Sequence, residues 1–151
     1  MSKAISLLLE SVKQQEENAR LLYQKAISDR AVCQKNLDAI NDFREVYSGE
    51  LIQAGQSEML TSTLLQYNSF ISKLDKASSD QAANLRNADA AVEKSRDHYQ
   101  QLQTKRKGLE KLLEKEALEA RMAAAKAEQK MMDEAALHSH LRAQRNREEQ
   151  D

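Results

Sequence analysis

Proline and tryptophan are absent from this chain of 151 residues, and glycine occurs only three times. An ordinary domain carries roughly 7% glycine and 5% proline, so the chain is short of the residues that reverse direction. Gly49, Gly55 and Gly108 are its only such punctuation. Multi-stranded β architectures need many tight turns and are disfavoured. No two glycines stand at the spacing of a phosphate-binding loop or a dinucleotide fingerprint. The single cysteine, Cys33, excludes an intramolecular disulfide framework and fits a reducing cytoplasm. Neither sign of charge dominates: 23 Lys and Arg face 24 Asp and Glu, for a net charge of −1. Such a balance exerts no long-range pull on nucleic acid, and no nucleic-acid partner is expected. No apolar run reaches the length of a membrane span. The opening residues MSKAISLLLESV turn polar too soon for a secretory signal. Aromatic residues are 4% of the chain, too few for a large globular core.

What the chain does have is Ala, Leu, Glu, Lys, Arg and Gln, the composition of long exposed helices. Steps of seven from Ile5 meet Val12, Ala19, Ala26, Cys33, Ile40, Tyr47 and Ala54, all apolar or aromatic. A strict heptad over that length marks a coiled-coil seam. The second seam position is shared. Leu8, Leu22 and Phe43 follow seam members by three residues, and Leu9, Tyr23, Leu37 and Leu51 by four. The pattern breaks at AGQSE, where Gly55 can take the left-handed conformation that ends a helix and Ser57 can cap the next. It resumes through Leu60, Leu64, Tyr67, Phe70, Ile71 and Leu74. Ala77, Leu85, Ala88, Val92, Tyr99, Leu102, Leu109 and Leu113 carry it on, interrupted by Gln81, Ser95 and Arg106. Polar residues at seam positions cost stability but fix register.

These signals predict an all-α fold: a long antiparallel two-helix coiled-coil hairpin with a longer, overhanging C-terminal helix. It is one coiled-coil domain over 1–151, with a first helix at about 3–53, a turn at about 54–58, a second helix at about 59–140 and a frayed tail at 141–151. Everything beyond about residue 110 has no partner helix within the chain.

Catalysis finds little support, because a two-helix seam offers no cavity in which titratable groups are gathered and desolvated. No catalytic, cofactor-binding or metal-binding residue is assigned, and no cofactor is expected. His98 has no Cys or His at ligand spacing, and His138 and His140 fall on opposite sides of a helix. Cys33 at a seam position reads as a small apolar residue. Of the six aromatics, Phe43, Tyr47, Tyr67 and Phe70 gather near the turn. They can plug the core where the helices converge. A slender hairpin cannot bury four rings fully, so part of the cluster can equally be a binding patch. The alanine-rich overhang reads either as plain helix stability or as a narrow, adaptable helix for a partner.

FREVYSGEL before the turn, LLQYNSFISKLDKA after it, KRKGLEKLLEKEALEARMA further on and EQKMMDEAAL near the end together resemble the FliJ family of flagellar type III export proteins, over about residues 5–137. The distinctive part is the spacing from Phe43 and Tyr47 to Tyr67, Phe70, Ile71, Leu74 and Ala77. The resemblance implies an antiparallel coiled coil similar to the γ subunit, the central stalk of the rotary F₁ ATPase. It implies a cytoplasmic location, peripherally associated with the inner membrane at the flagellar base through the export gate. The implied partners are the hexameric export ATPase FliI, the gate protein FlhA and export chaperones of the FlgN and FliT type. The implied role is to promote ring assembly and ATP turnover without hydrolysing anything itself, in flagellum assembly and motility. The gate patch carried over by the resemblance is Ile40, Phe43, Tyr47, Phe70, Leu74 and Ala77. Asn36 and Gln81 match the family's further polar members poorly. The implied stalk is a monomer in isolation. Rival readings are the equivalent stalk of a virulence-type injectisome, of the YscO family, and a homodimeric scaffold or tether whose seam residues (Ile5, Val12, Ala19, Ala26, Cys33, Leu85, Val92, Leu102 and Leu109) pair between chains.

Overall fold

The computed structural model describes residues 2–56 and 61–151. It contains two α-helices, α1 (Ser2–Gln56) and α2 (Thr61–Gln150), with no strand among the described residues. The expected cap at Ser57 and the seam residue Leu60 lie outside the described residues.

Strong helix formers and the lack of proline let both helices run without interruption. All three glycines lie inside them, and no described residue has a positive φ. Gly55 therefore does not end the first helix in a left-handed conformation, and α1 continues through Gln56. Ala54, one residue earlier, is buried. Packing of that last turn outweighs the roughly 1 kcal/mol by which glycine disfavours a helix relative to alanine. At the other end α2 continues past residue 140 to Gln150, with Arg147 in its last turn, where a cation complements the helix dipole.

The fold is all-α, an antiparallel coiled-coil hairpin whose second helix is the longer. It comprises two compact units, one of Lys13–Thr104 and one of Met1–Val12 with Lys105–Asp151. In the unit 13–104, contacts between the helices run in opposite directions along the chain. Tyr23 meets Tyr99, Arg30 meets Asp89, Asn41 meets Ser78, Arg44 meets Asp75 and Tyr47 meets Phe70. Along α1 the heptad residues Ala19, Ala26, Cys33, Ile40, Tyr47 and Ala54 are all buried or partly buried. The structure also resolves the shared second position. Tyr23, Leu37 and Leu51, four residues after seam members, are partly buried, whereas Leu22 and Phe43, three residues after, are exposed. Steps of four and three then alternate, as a heptad seam requires, with Arg30 and Arg44 as its charged members and Arg30 exposed.

On α2 the same alternation runs through Leu64, Tyr67, Ile71, Leu74, Ser78 and Gln81, then Leu85, Ala88, Val92, Ser95, Tyr99 and Leu102, every one buried or partly buried. Its polar members are partnered. The Ser78 hydroxyl donates to Asn41 Oδ1 at 2.7 Å, Gln81 Nε2 donates to the Cys33 carbonyl at 3.3 Å, and Ser95 Oγ donates to the Val92 carbonyl at 3.0 Å. Leaving such a buried group unpaired would cost about 1–3 kcal/mol. The first two bonds join α1 to α2 and favour one register over its neighbours.

In the unit of 1–12 and 105–151, Leu9 and Val12 are buried, Val12 to 1% exposure, and Ile5 is partly buried. Arg106, Leu109, Leu113 and Glu116 are partly buried. Arg106 Nη1 donates to the Glu110 carboxylate at 3.2 Å, one turn along α2. From residue 117 to 151 every residue is exposed.

Candidate interaction surfaces

Two surfaces stand out from this frame, and the first is aromatic. Tyr47 sits on the α1 seam with its ring edge-on to Phe70 at 4.7 Å between centroids, and tilted against Tyr67 at 6.5 Å. Edge-to-face pairs are worth about 0.5–1.5 kcal/mol beyond the area they bury. Tyr47, Gln66, Tyr67 and Phe70 line a shallow hollow of about 320 Å³. The bond from Ser78 to Asn41 and the ion pair of Arg44 with Asp75, 3.4 Å from nitrogen to oxygen, hold the same stretch of the two helices in register.

All six residues expected from the resemblance to form a gate patch lie in that stretch, but they are not equally available. Phe43 is 58% exposed and Phe70 is 43% exposed. Ile40, Tyr47, Leu74 and Ala77 are partly buried, and Ile40, Tyr47 and Leu74 belong to the seam. Phe43 has no ring contact among the described residues, whereas Tyr47 has two. The cluster is therefore core and surface at once: Tyr47 anchors the hairpin, and Phe43 and Phe70 face out. Sequence reading passed over Val46, which is as exposed as Phe43 and follows it by three residues on α1; the i, i+3 spacing was the available signal. Of the two further polar positions, Asn36 is exposed and Gln81 is held in the seam by its bond to the Cys33 carbonyl.

The second surface is the exposed part of α2. Leu118, Met122, Ala125, Met132 and Ala136 fall on one heptad stripe, interrupted by Gln129, and Leu118, Met122 and Met132 are each at least half exposed. Met131, Leu137 and Leu141 are exposed at other angles around the helix. The backbone of this segment is fully helical, so its apolar residues project without cover. Apolar side chains left exposed along one helix make this segment a candidate surface for a partner.

The remaining candidates are quieter. Cys33 is partly buried on the seam. Among the described residues, no three His, Cys, Asp or Glu side chains gather as a metal site. No described helix is long and apolar enough to cross a membrane.

The chain matches the family model described as flagellar FliJ protein over residues 1–145. Neither the curated proteins nor the solved structures yield a match.

Proposed function

The chain belongs to the flagellar FliJ family and is a component of the flagellar type III export machinery, and we propose that it acts there as a central-stalk-like coiled coil. In this reading the exposed part of α2 enters the ring of the hexameric export ATPase FliI. The aromatic surface engages the export gate protein FlhA, and the hairpin escorts or recycles chaperones of the FlgN and FliT type. The observation that carries the reading is the unbroken helix from 117 to 150 with every residue exposed. A single helix of alanine, methionine and balanced charge is narrow enough to sit in a pore and polar enough to stay in solution. One asymmetric rod inside a six-fold ring contacts the subunits unequally. It therefore biases them toward different nucleotide states, which promotes ring assembly and turnover. The chain supplies position and no catalytic group.

Two further observations support a stalk over a self-pairing scaffold. The seam residues of the unit 13–104 are covered by the other helix of the same chain, and Arg30–Asp89 and Arg44–Asp75 pair within the chain. A homodimer using those residues would have to break both. The protein should accordingly sediment as a monomer.

The experiment is truncation after residue 116. Stimulation of the hexameric ATPase should be lost, while the circular dichroism melt of the remaining hairpin stays within a few degrees of the full chain. Full stimulation by the truncated protein would refute insertion of this segment into the ring.

A further inference from the structure

A third surface shares no residue with either of these. Within the unit 13–104, α1 and α2 leave an open groove of about 570 Å³ between residues 19–29 and 87–98. Its cause is side-chain size. Ala19, Ala26 and Ala88 stand at seam positions where other turns of the same helices carry Leu or Tyr, and Ala91 adds a small residue beside them. The helices are held together beside it by the Tyr23–Tyr99 ring contact and by Arg30–Asp89, so the hollow does not close. It follows α2 from Asn87 to His98, about three helical turns or roughly 16 Å. A floor of small residues over that length lets a third helix approach at the 8–10 Å interaxial distance of packed helices.

The rim has an apolar anchor and a charge. Leu22 lines the groove and is 60% exposed. Lys25 and Lys94 line it from the two helices, against a single carboxylate, Asp29. Neither lysine has an ion-pair partner among the described residues. The other acids close by are already engaged: Glu93 and Asp97 pair with Arg96 at 3.7 and 3.5 Å, and Asp89 pairs with Arg30. A second copy of this chain docked through the same face would bring lysine toward lysine. A partner carrying carboxylates would complete two unpaired ammonium groups.

We propose that this alanine-floored groove is a docking site for an amphipathic helix of a partner protein, one with small or aliphatic residues on its buried stripe and Glu or Asp on its flanks. The occupant makes a local three-helix bundle with α1 and α2. Leu22 packs against its stripe, and Lys25 and Lys94 meet its carboxylates. The site shares no residue with the aromatic surface or with the exposed end of α2, and it does not depend on the stalk reading.

The test uses the full chain and two labelled 21-residue synthetic helices that share one Leu/Ala stripe, one flanked by Glu and one by Lys, followed by fluorescence anisotropy. The Glu-flanked helix should bind at least about tenfold more tightly than the Lys-flanked one, and added salt should shrink the difference. Ala91→Arg, which fills an exposed part of the floor, should weaken binding about tenfold or more. The double variant Lys25→Glu with Lys94→Glu should reverse the preference. All three positions are exposed, and unchanged helix content and melting would show that the variants fold. Equal binding of the two helices, or binding indifferent to Ala91→Arg, would overturn the proposal. So would a dimer of the full chain that Ala91→Arg dissociates, since that assigns the groove to a second copy. ATPase stimulation should be the same for Ala91→Arg as for the parent, which keeps this result distinct from the fate of the stalk reading.

Discussion

The second helix contains two regions that share a backbone and differ in almost everything else. Between residues 64 and 102 its seam positions are buried or partly buried, and its serines and glutamine there are hydrogen-bonded. Beyond 116 it is helical with no buried residue at all. Leu is present in both, buried at Leu102 and half exposed at Leu118, so apolar character alone does not decide burial. The difference lies in whether a second helix is available to cover the stripe. In the first region helicity rests on packing, as in most proteins. In the second it rests on intrinsic propensity, supplied by alanines, and by turn-to-turn pairs such as Gln129 Nε2 with Asp133 Oδ1 at 3.1 Å. A helix held that way keeps its apolar side chains free for something else.

The sharpest way to break this comparison is to remove the same side chain from each region. Leu102 is 8% exposed and Leu118 is 50% exposed. Leu102→Ala leaves a cavity in the seam and should destabilise the protein by about 2–4 kcal/mol. Leu118→Ala should change stability by less than about 0.5 kcal/mol. Thermal or urea unfolding followed by circular dichroism measures both. Similar losses would mean that the segment after 116 is packed in solution and the contrast is false.

The aromatic surface applies the same contrast within one cluster. Tyr47 carries two ring contacts on the seam, whereas Phe43 is exposed without one. Phe43→Ala should weaken binding to the cytoplasmic part of the gate by about 1–3 kcal/mol and leave the melt unchanged. Tyr47→Ala should lower the melt as well, so loss of binding in that variant would not by itself locate the patch. Gate binding by Phe43→Ala at the parent level would remove Phe43 from the interface.

How much of this was legible in the residues depended on which physical signal carried it. The heptad from Ile5 to Ala54 was plain, because period is a property of the sequence itself, and all of its members prove buried or partly buried. The choice between Leu22 and Tyr23, or between Phe43 and the seam, was not. Positions three and four residues on are both compatible with one helix, and only the facing helix selects between them. Ser78 was invisible for a related reason. A serine in a stripe of leucines reads as a gap until Asn41, 37 residues away, is seen to accept its hydrogen bond. Of the patch residues, sequence placed all six in one stretch but could not separate Phe43 and Phe70, which face out, from Ile40, Tyr47, Leu74 and Ala77, which do not. The alanine groove was hidden because alanine signals helix propensity first and small size only when two helices are brought side by side.

Gly55 gives a smaller effect with a definite sign. As the left-handed end of a helix it would resist any side chain. In the structure it lies within α1 with no positive φ, and a Cβ built there has nothing within 4 Å. Gly55→Ala should therefore stabilise the protein by about 0.5–1 kcal/mol, through helix propensity and a less flexible unfolded chain. A loss of stability instead would show that α1 ends before Gln56 in solution. Gly108→Ala, at a site equally open within α2, is the matching control from the other unit.

The smallest expected effect concerns an exposed ion pair. Arg20 donates through Nε to Glu17 Oε2 at 2.9 Å, three residues apart on α1. That hydrogen bond, opposed by desolvation and aided by the guanidinium charge, holds the Glu17 carboxyl below its ordinary value of 4.5. Because the folded value is the lower one, the pair adds stability above the ordinary carboxylate range, and the contribution fades as pH falls through the lowered value. Its place on the surface of α1, in reach of water and salt, keeps it small and sensitive to salt. The direct readout is an NMR titration of the Glu17 side-chain carboxyl carbon. Its midpoint should rise toward the ordinary value in Arg20→Gln and in high salt, and an unchanged midpoint in both would mean that the pair is not held in solution.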